Sequence, residues 1–286
     1  MNGHTIVHLS DLHFGRHVDL AQVAAVERLV PDLAPDAIVI SGDMTQRARH
    51  GEFQRTLALL EHLQATAPTL VVPGNHDVQW WRSPFGLFGT RPKYAKYRHY
   101  LGEELTPVLR VPGLVLAGAL TAHGLSAGSL TWNQRDLTVK GHLPGSEIRR
   151  LTELFAGEAP GSAKVIVLHH NILRGEISQR MGLSRWAQAQ RWLLTAGADA
   201  VLCGHDHQEG AGQVADRLAI STAGTLTDRT RGQRPAVFNV VRIDARAVRV
   251  EYWRWVADRR EFRPSDNFAF ARSSDRPAAV GAARDA

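Results

Sequence analysis

The chain has 286 residues, 44% of them hydrophobic and 22% charged, which is enough apolar sequence to bury a large core. Its single cysteine, Cys203, excludes an internal disulfide and indicates a reducing compartment. No apolar run approaches the roughly 18 residues of a membrane span, and the first residues lack the basic and apolar regions of a secretion signal. These features predict a cytoplasmic protein without a membrane span.

The formal net charge of +6 is compatible with an anionic partner. The arginines and lysines are spread along the chain instead of forming one basic stretch, so nucleic acid stays open as a partner but is not favoured. An arginine-rich surface that binds no partner explains the positive net charge equally well. A homo-oligomer is also left open.

The predicted elements alternate between strands and helices over most of the chain. Strand patterns cover residues 5–9, 37–40, 70–72, 115–120, 164–168 and 200–203, and amphipathic helix patterns cover 20–30, 51–65, 146–155 and 184–196. This alternation is typical of an α/β architecture. Strands at 218–222, 236–243 and 247–256, joined by short turns, predict an antiparallel addition to the sheet.

The domain prediction follows from the same pass along the chain. No linker or repeat divides it, so residues 1–265 are expected to form one domain, with residues 80–100 as a cap or insertion. Residues 266–286 are rich in Ser, Asp, Pro, Ala and Gly, and they are expected to form a disordered tail.

Metal-binding side chains follow five of the predicted strands. They are Asp11 and His13, then Asp43, then Asn75, His76 and Asp77, then His169 and His170, and finally His205, Asp206 and His207. Ligands of open α/β sheets bind at the carboxyl ends of strands. Carboxylate, imidazole and amide donors suit Mn, Fe or Zn, and one four-coordinate ion cannot use so many of them. The pattern therefore predicts two metal ions.

Local geometry supports this convergence. Residues i and i+2 of an extended chain point to the same side, which would direct Asp11 and His13 into one cavity, and likewise His205 and His207. Glycines that allow a sharp turn or a close backbone approach precede three of the motifs, namely Gly42, Gly74 and Gly204. Two metal ions can clamp both oxygens of a phosphoryl displacement and provide hydroxide at neutral pH, so the chemistry expected is phosphoester hydrolysis.

The ordered motifs D-x-H, G-D, G-N-H-D, a strand-end His and G-H-x-H, over about residues 5–207, resemble the calcineurin-like metallophosphoesterases. The small bacterial phosphodiesterases that include the class III cyclic-nucleotide enzymes look most similar, by size and by the GDMTQ and GNHD contexts. This resemblance implies a four-layer αββα sandwich, in which two mixed β-sheets are flanked by helices.

The resemblance also implies roles for individual residues. One ion would be held by Asp11, His13 and His207, the other by Asn75, His169 and His205, and Asp43 would bridge both. His76 would contact the scissile phosphate and assist the leaving group. His169 is preferred to His170 as the ligand because it directly follows its strand. Asp77 and Asp206 are expected to be supporting residues, one of which orients a ligand histidine.

The implied activity is hydrolysis of a small anionic phosphodiester, with cyclic nucleotides as one candidate, by attack of a metal-bound hydroxide. The alternatives are a pyrophosphatase of nucleotide-linked substrates, a nuclease, or an inactive scaffold, against which the complete set of site residues argues. Two segments could choose the substrate. Residues 80–100 are rich in aromatic and basic side chains, and residues 174–185 include arginines that could bind a phosphate. A loop, a dimer contact or an exposed helix start remain alternatives for them.

Overall fold

The computed structural model describes residues 3–16, 18–82, 91–124 and 140–272. The strands are β1 (His4–Leu9), β2 (Ala37–Ile40), β3 (Thr69–Val71), β4 (Val108–Val111), β5 (Leu114–Gly118), β6 (Ala163–His170), β7 (Ala200–Gly204), β8 (Gly210–Val214), β9 (Leu218–Thr222), β10 (Val237–Ile243), β11 (Ala247–Val256) and β12 (Glu261–Ala271). The helices are α1 (Leu20–Leu29), α2 (His50–Gln64), α3 (Arg91–Leu101), α4 (Gly145–Ala156) and α5 (Trp186–Thr195). Within the described ranges, none of the helices has the length and apolarity needed to cross a bilayer.

The described strands form two six-stranded sheets. The first has the order β12-β11-β10-β1-β2-β3, and the second has the order β4-β5-β6-β7-β9-β8. In the first sheet β1, β2 and β3 run parallel, and in the second β5, β6, β7 and β9 do. The remaining pairs are antiparallel, so both sheets are mixed.

The two sheets bury a common apolar core between them. Leu70 and Val241 of the first sheet belong to the same buried cluster as Leu116, Val165 and Leu202 of the second. Burial of such side chains is the main favourable contribution to folding. The sheets therefore stack face to face.

Helices cover the outer face of each sheet. Val26 of α1 and Phe53 of α2 lie in one cluster with Ile40 of the first sheet. Leu151 of α4 and Leu193 of α5 share a cluster with strands of the second. The order of layers is helix, sheet, sheet, helix, which confirms the predicted four-layer αββα sandwich.

The C-terminal strand extends further than the sequence suggested. β12 pairs with β11 through Ala271, so the domain boundary predicted at 265 is too early. Most of β12 beyond Phe262 is exposed, and Pro264 is tolerated because β12 is the edge strand. An exposed edge strand lacks the apolar alternation by which a strand is recognised in a sequence. The rest of the predicted tail, 273–286, lies outside the described residues.

The segment 80–100, predicted as a cap or insertion, is described only at its two ends. Residues 83–90, which include its apolar stretch, lie outside the described residues. The part from residue 91 onward belongs to α3, whose Tyr94 and Tyr97 are buried. Tyr94 donates a hydrogen bond to the carbonyl of Ala122 (2.8 Å), and Tyr97 donates one to that of Val71 (3.4 Å). This half of the segment is an integral part of the packed domain.

The core assignment can be tested with two matched leucines. Leu202 is fully buried between the sheets, whereas Leu20 is 62% exposed at the start of α1. We expect Leu202→Ala to lower the free energy of unfolding by about 2–5 kcal/mol, because it removes apolar contacts and leaves a cavity. Leu20→Ala should change it by less than about 0.5 kcal/mol. Chemical denaturation of both variants measures the difference, and similar losses for the two would contradict the assignment.

Candidate metal centre

The predicted ligands lie together where the carboxyl ends of the parallel strands of both sheets meet. Most of them have a left-handed backbone conformation: Asp11 (φ 53°), His13 (44°), Asp43 (52°), His205 (74°) and His207 (55°). This conformation costs roughly 1–2 kcal/mol in a residue with a side chain, and such strain concentrates at functional sites. The expectation of an extended chain at D-x-H and H-x-H is therefore wrong. The paired side chains converge through left-handed turns.

One group of donors contains Asp11, His13 and His207. The Nε2 atoms of His13 and His207 are 2.9 Å apart. The Oδ1 atom of Asp11 lies 3.4 Å from Nε2 of His207 and 3.6 Å from Nε2 of His13. These atoms can bind one ion together.

A second group contains Asn75, His169 and His205. The Oδ1 atom of Asn75 is 3.1 Å from both Nε2 of His169 and Nδ1 of His205, and these two nitrogens are 3.2 Å apart. The Oδ2 atom of Asp43 lies between the groups, 3.3 Å from Nε2 of His169 and 3.7 Å from Nε2 of His13. Asp43 is therefore within reach of both.

The hydrogen-bond partners of the histidines show that the site suits cations. Nδ1 of His169 faces the carbonyl oxygen of Ser41 at 2.8 Å, and Nδ1 of His207 faces that of Arg229 at 3.0 Å. A carbonyl only accepts, so these nitrogens are assigned a proton, and each ring, once it is neutral, presents the lone pair of Nε2 to the cluster. The buried Oδ1 of Asp11 has no hydrogen-bond partner. Converging lone pairs and a buried carboxylate fit metal ions.

The electrostatics of the cluster point the same way. Burial alone would raise the pKa of the Asp11 carboxyl, but the nearby His13 and His207 hold that pKa well below its usual range. Burial alone would lower the pKa of His169, but the charge and hydrogen bond of Asp43 raise it to about 9. Burial and the charge of His169 lower the pKa of His205 to about 3, so its ring is neutral at pH 7. Without metal, a proton on His169 takes the place of the missing positive charge.

His76 lies beside the cluster. Its backbone N–H donates to Oδ1 of Asp43 at 2.8 Å, and its Nδ1 faces the carbonyl oxygen of Gln46, also at 2.8 Å. Its ring stands edge-on to that of His13, with the ring centres 4.8 Å apart. The Gln46 carbonyl assigns the proton to Nδ1, so Nε2 of His76 is the nitrogen left for chemistry.

His170 is the geometric alternative to His169. One of its ring nitrogens lies within 4.8 Å of donor atoms of His169 and His205. However, Nδ1 of His170 is 2.8 Å from the hydroxyl of Thr121. His169 is the one whose Nε2 contacts Asn75 and Asp43.

The neighbouring carboxylates hold loops together. Asp77 accepts hydrogen bonds from the backbone N–H of Gly74 (2.9 Å) and from both the N–H (2.8 Å) and the hydroxyl (2.9 Å) of Thr45, which joins the loops after β2 and β3. Asp206 accepts one from the hydroxyl of Ser178 at 2.6 Å. Within the described ranges, neither carboxylate has the hydrogen bond to a ligand histidine that was expected for one of them. Backbone carbonyls orient His169 and His207, and no residue type in the sequence reveals this.

Two of the glycines permit the loops to meet, as the sequence suggested. A Cβ atom on Gly74 would overlap the backbone nitrogen and carboxylate of Asp43, and one on Gly204 would overlap the Ser10 hydroxyl. Only glycine allows such close approach of two backbones. The metal-binding side chains can converge because Gly74 and Gly204 have no side chains at these close contacts.

The donors open onto a cleft of about 160 Å³, in which His76, Asn75, His205 and His207 are joined by basic residues. These are Lys140, Arg180, Arg229 and Arg231, of which only Arg180 lies in a segment that the sequence had suggested as phosphate-binding. A larger cavity of about 680 Å³ adjoins the cleft, since both are lined by Asn171 and Asp206.

Fold and site together define a metal-binding α/β sandwich with its centre at the carboxyl ends of the strands. The sequence model of the calcineurin-like phosphoesterase family matches residues 4–209. The chain belongs to this family. No curated protein matches the sequence.

Solved structures share the fold at low sequence identity. Purple acid phosphatase PPD1 from yellow lupin (Lupinus luteus) superposes with a TM-score of 0.70 at 11% identity, over 96% of this chain and 54% of that one. A dimetal phosphatase from Danio rerio gives 0.63 at 12%, over 94% and 99%. GAP50 of Plasmodium, described as the anchor in the inner membrane complex, gives 0.62 at 12%, over 98% and 92%. The chain thus spans about half the length of the lupin protein. Because the fold serves phosphatases and an anchor, function must be argued from the site.

Gly74 provides a test of the packing around Asp43. Gly74→Ala should displace the Asp43 carboxylate and lower metal affinity by at least about tenfold, the size of effect seen when the support of a ligand is lost. Titration calorimetry with Mn²⁺ or Zn²⁺ measures this affinity. Gly51→Ala is the control, because an added Cβ there meets nothing within 4 Å and Gly51 lies in α2. Wild-type affinity in Gly74→Ala would show that the close approach is not needed.

Metal binding should also depend on pH. His169, with a pKa of about 9 in the metal-free protein, carries a proton at pH 7 that it must lose before Nε2 can bind a metal. Affinity should therefore rise from pH 7 to about pH 9, by about tenfold per unit for one displaced proton, and this contribution should end above the pKa. Calorimetry in two buffers of different ionisation enthalpy counts the released protons. Binding without proton release at pH 7 would contradict the assignment of His169.

Proposed function

We propose that the protein is a phosphodiesterase that uses two metal ions to hydrolyse small phosphodiesters. The observation that carries the proposal is the pair of donor groups within reach of one buried carboxylate, Asp43. In this proposal Asp11, His13 and His207 would hold one ion, Asn75, His169 and His205 would hold the other, and Asp43, which is within reach of both groups, would be shared between them. When bound, ions in such sites supply Lewis acidity at the phosphoryl oxygens and lower the pKa of a water molecule.

The chain's own residues supply orientation. Carbonyl oxygens of Ser41 and Arg229 fix the rings of His169 and His207, so that the Nε2 atom of each ring points into the centre before any ligand arrives. The backbone of His76 holds Oδ1 of Asp43 and leaves Oδ2 toward the histidines. Such fixed donors need no rearrangement during the reaction, which is the main source of electrostatic catalysis.

His76 is the proposed acid for the leaving group. Its Nδ1 is held by Gln46, so its Nε2 is the atom that would hold a proton and deliver it to the departing oxygen. His76 lines the same cleft as Asp43 and His207.

The alternatives are a pyrophosphatase of nucleotide-linked substrates, a nuclease and an inactive anchor. A panel of substrates separates them, assayed after reconstitution with Mn, Fe or Zn: bis-p-nitrophenyl phosphate, p-nitrophenyl phosphate, cyclic nucleotides, a dinucleoside pyrophosphate and single-stranded DNA. The proposal expects the diesters to be turned over faster than the monoester. Hydrolysis of no member with any metal would support an anchor.

Asp43→Asn tests the bridging role. We expect this variant to lose metal at both positions and to lower kcat/KM for a diester by at least about 100-fold, because an amide cannot supply the negative charge that two cations share. Metal content per chain and diester turnover are the readouts. Loss of only one ion would refute the bridge while leaving the hydrolase proposal intact.

His76→Asn tests the acid role through the leaving group. We expect kcat to fall about 10²- to 10⁴-fold for a diester with an alkyl leaving group, which needs a proton. The fall should be much smaller for a p-nitrophenyl leaving group, which departs without one. Metal content should not change. Equal losses for both leaving groups would indicate that His76 acts in binding or folding instead.

A further inference from the structure

We propose that the natural substrate carries a second phosphate close to the scissile one, and that Arg180, Arg229 and Arg231 bind it. The inference rests on the two-metal phosphohydrolase chemistry of the proposed function and specifies its substrate class. The three arginines line the same cleft as His76, His205 and His207.

Each arginine is tied to a segment that carries a proposed ligand. The carbonyl oxygen of Arg229 accepts the Nδ1 hydrogen of His207 at 3.0 Å. The carbonyl oxygen of Arg180 accepts a hydrogen bond at 3.1 Å from the side-chain amide of Asn171, which follows the strand of His169. These contacts fix the backbone of Arg180 and Arg229 at the rim of the metal centre.

Arg231 is fixed through its side chain. Its Nε donates to the carbonyl oxygen of Asp206 at 3.0 Å, and the guanidinium remains 3.9 Å from the Asp206 carboxylate, too far for a hydrogen bond. Asp206 lies between His205 and His207 in the chain, so Arg231 is also anchored beside the centre.

Arg234 and Arg254 of the adjoining cavity are paired with a carboxylate, whereas Arg180 and Arg229 of the cleft have no such pair among the described residues. Arg254 and Arg234 approach Oε1 of the buried Glu209 at 2.7 and 3.3 Å, which makes them part of the framework. Among the described residues, no carboxylate lies within 4 Å of the guanidinium of Arg180 or Arg229, and both side chains are exposed. Their donors are available to a ligand.

The charge balance of the site favours a polyanion. The carboxylates of Asp11 and Asp43, one hydroxide and one diester anion together neutralise two divalent ions. A plain diester therefore leaves Arg180 and Arg229 without a counter-charge, whereas a second phosphate supplies one. Guanidinium groups bind phosphate through paired, charge-assisted hydrogen bonds, for which their planar shape is suited.

Two kinds of substrate share this chemistry, a disubstituted pyrophosphate and a diester that bears a separate phosphate. Two substrate pairs distinguish them. The first compares two adenosines joined by a diphosphate with two joined by a monophosphate. The second compares thymidine 5′-p-nitrophenyl phosphate with and without a 3′-phosphate. We expect the second phosphate to raise kcat/KM at least about tenfold in one pair, and that pair identifies the source.

Arginine variants then test the assignment. Arg180→Gln and Arg229→Gln should each reduce this advantage by about tenfold, since each removes a charge-assisted contact, and should lower turnover of the plain diester less. Arg55→Gln, on the exposed face of α2, is the matched control and should preserve the advantage. Thermal unfolding and metal content verify that each variant is folded and loaded.

The outcomes separate this inference from the proposed function. Hydrolysis of plain diesters with no advantage from the second phosphate in either pair would overturn the inference alone. So would equal losses on both members of a pair in the arginine variants. If no member of either pair is hydrolysed, the proposed function fails and the inference fails with it.

Discussion

The carboxylate of Asp43 is the contact that joins the two halves of the candidate centre. Its Oδ1 accepts the backbone N–H of His76 from the first sheet, and its Oδ2 meets His169 from the second. Burial alone would raise the pKa of Asp43, yet the charge of His169 holds it below its usual range. A buried, unpaired carboxylate is costly. The buried Asp43 carboxylate therefore requires a nearby positive charge, which either a proton on His169 or metal ions can supply.

Beneath the centre, polar contacts join the sheets. His8 is fully buried, with Nε2 3.0 Å from the hydroxyl of Ser41 and Nδ1 3.1 Å from that of Ser221, to which Asn239 also donates at 2.8 Å. Burial lowers the pKa of His8 to about 3, so its ring is neutral and structural. Buried hydrogen bonds between side chains are directional and constrain how two sheets can pack more tightly than apolar contacts do. Here the network fixes the spacing of β1 and β2, whose next residues carry Asp11 and Asp43.

The fold and the convergence of the metal-binding side chains can be predicted because both produce regular patterns of residue types along the sequence. Buried parallel strands appear as apolar runs, and the donors follow directly after them, as Asp43 follows β2. The sequence does not show what has no side-chain signal. The carbonyls that orient His169 and His207, the left-handed turns at Asp11 and His13, and the exposed strand β12 depend on tertiary contacts. The exposed Arg229 resembles any surface arginine until the fold places it beside His207.

Backbone strain and an unpaired buried oxygen at the centre bear on whether it binds metal or has lost that function. Asp11, His13, Asp43, His205 and His207 all adopt strained backbone conformations, and Oδ1 of Asp11 is buried without a partner. An anchor gains nothing from these costs, because apolar side chains at the same positions would relax the backbone and remove the orphaned oxygen. A cation would give the unpaired oxygen of Asp11 a partner, and its binding energy would offset the backbone strain and contribute to folding. A site built to hold metal accounts for the strain, and the proposed second phosphate would supply a counter-charge for Arg180 and Arg229 at its rim.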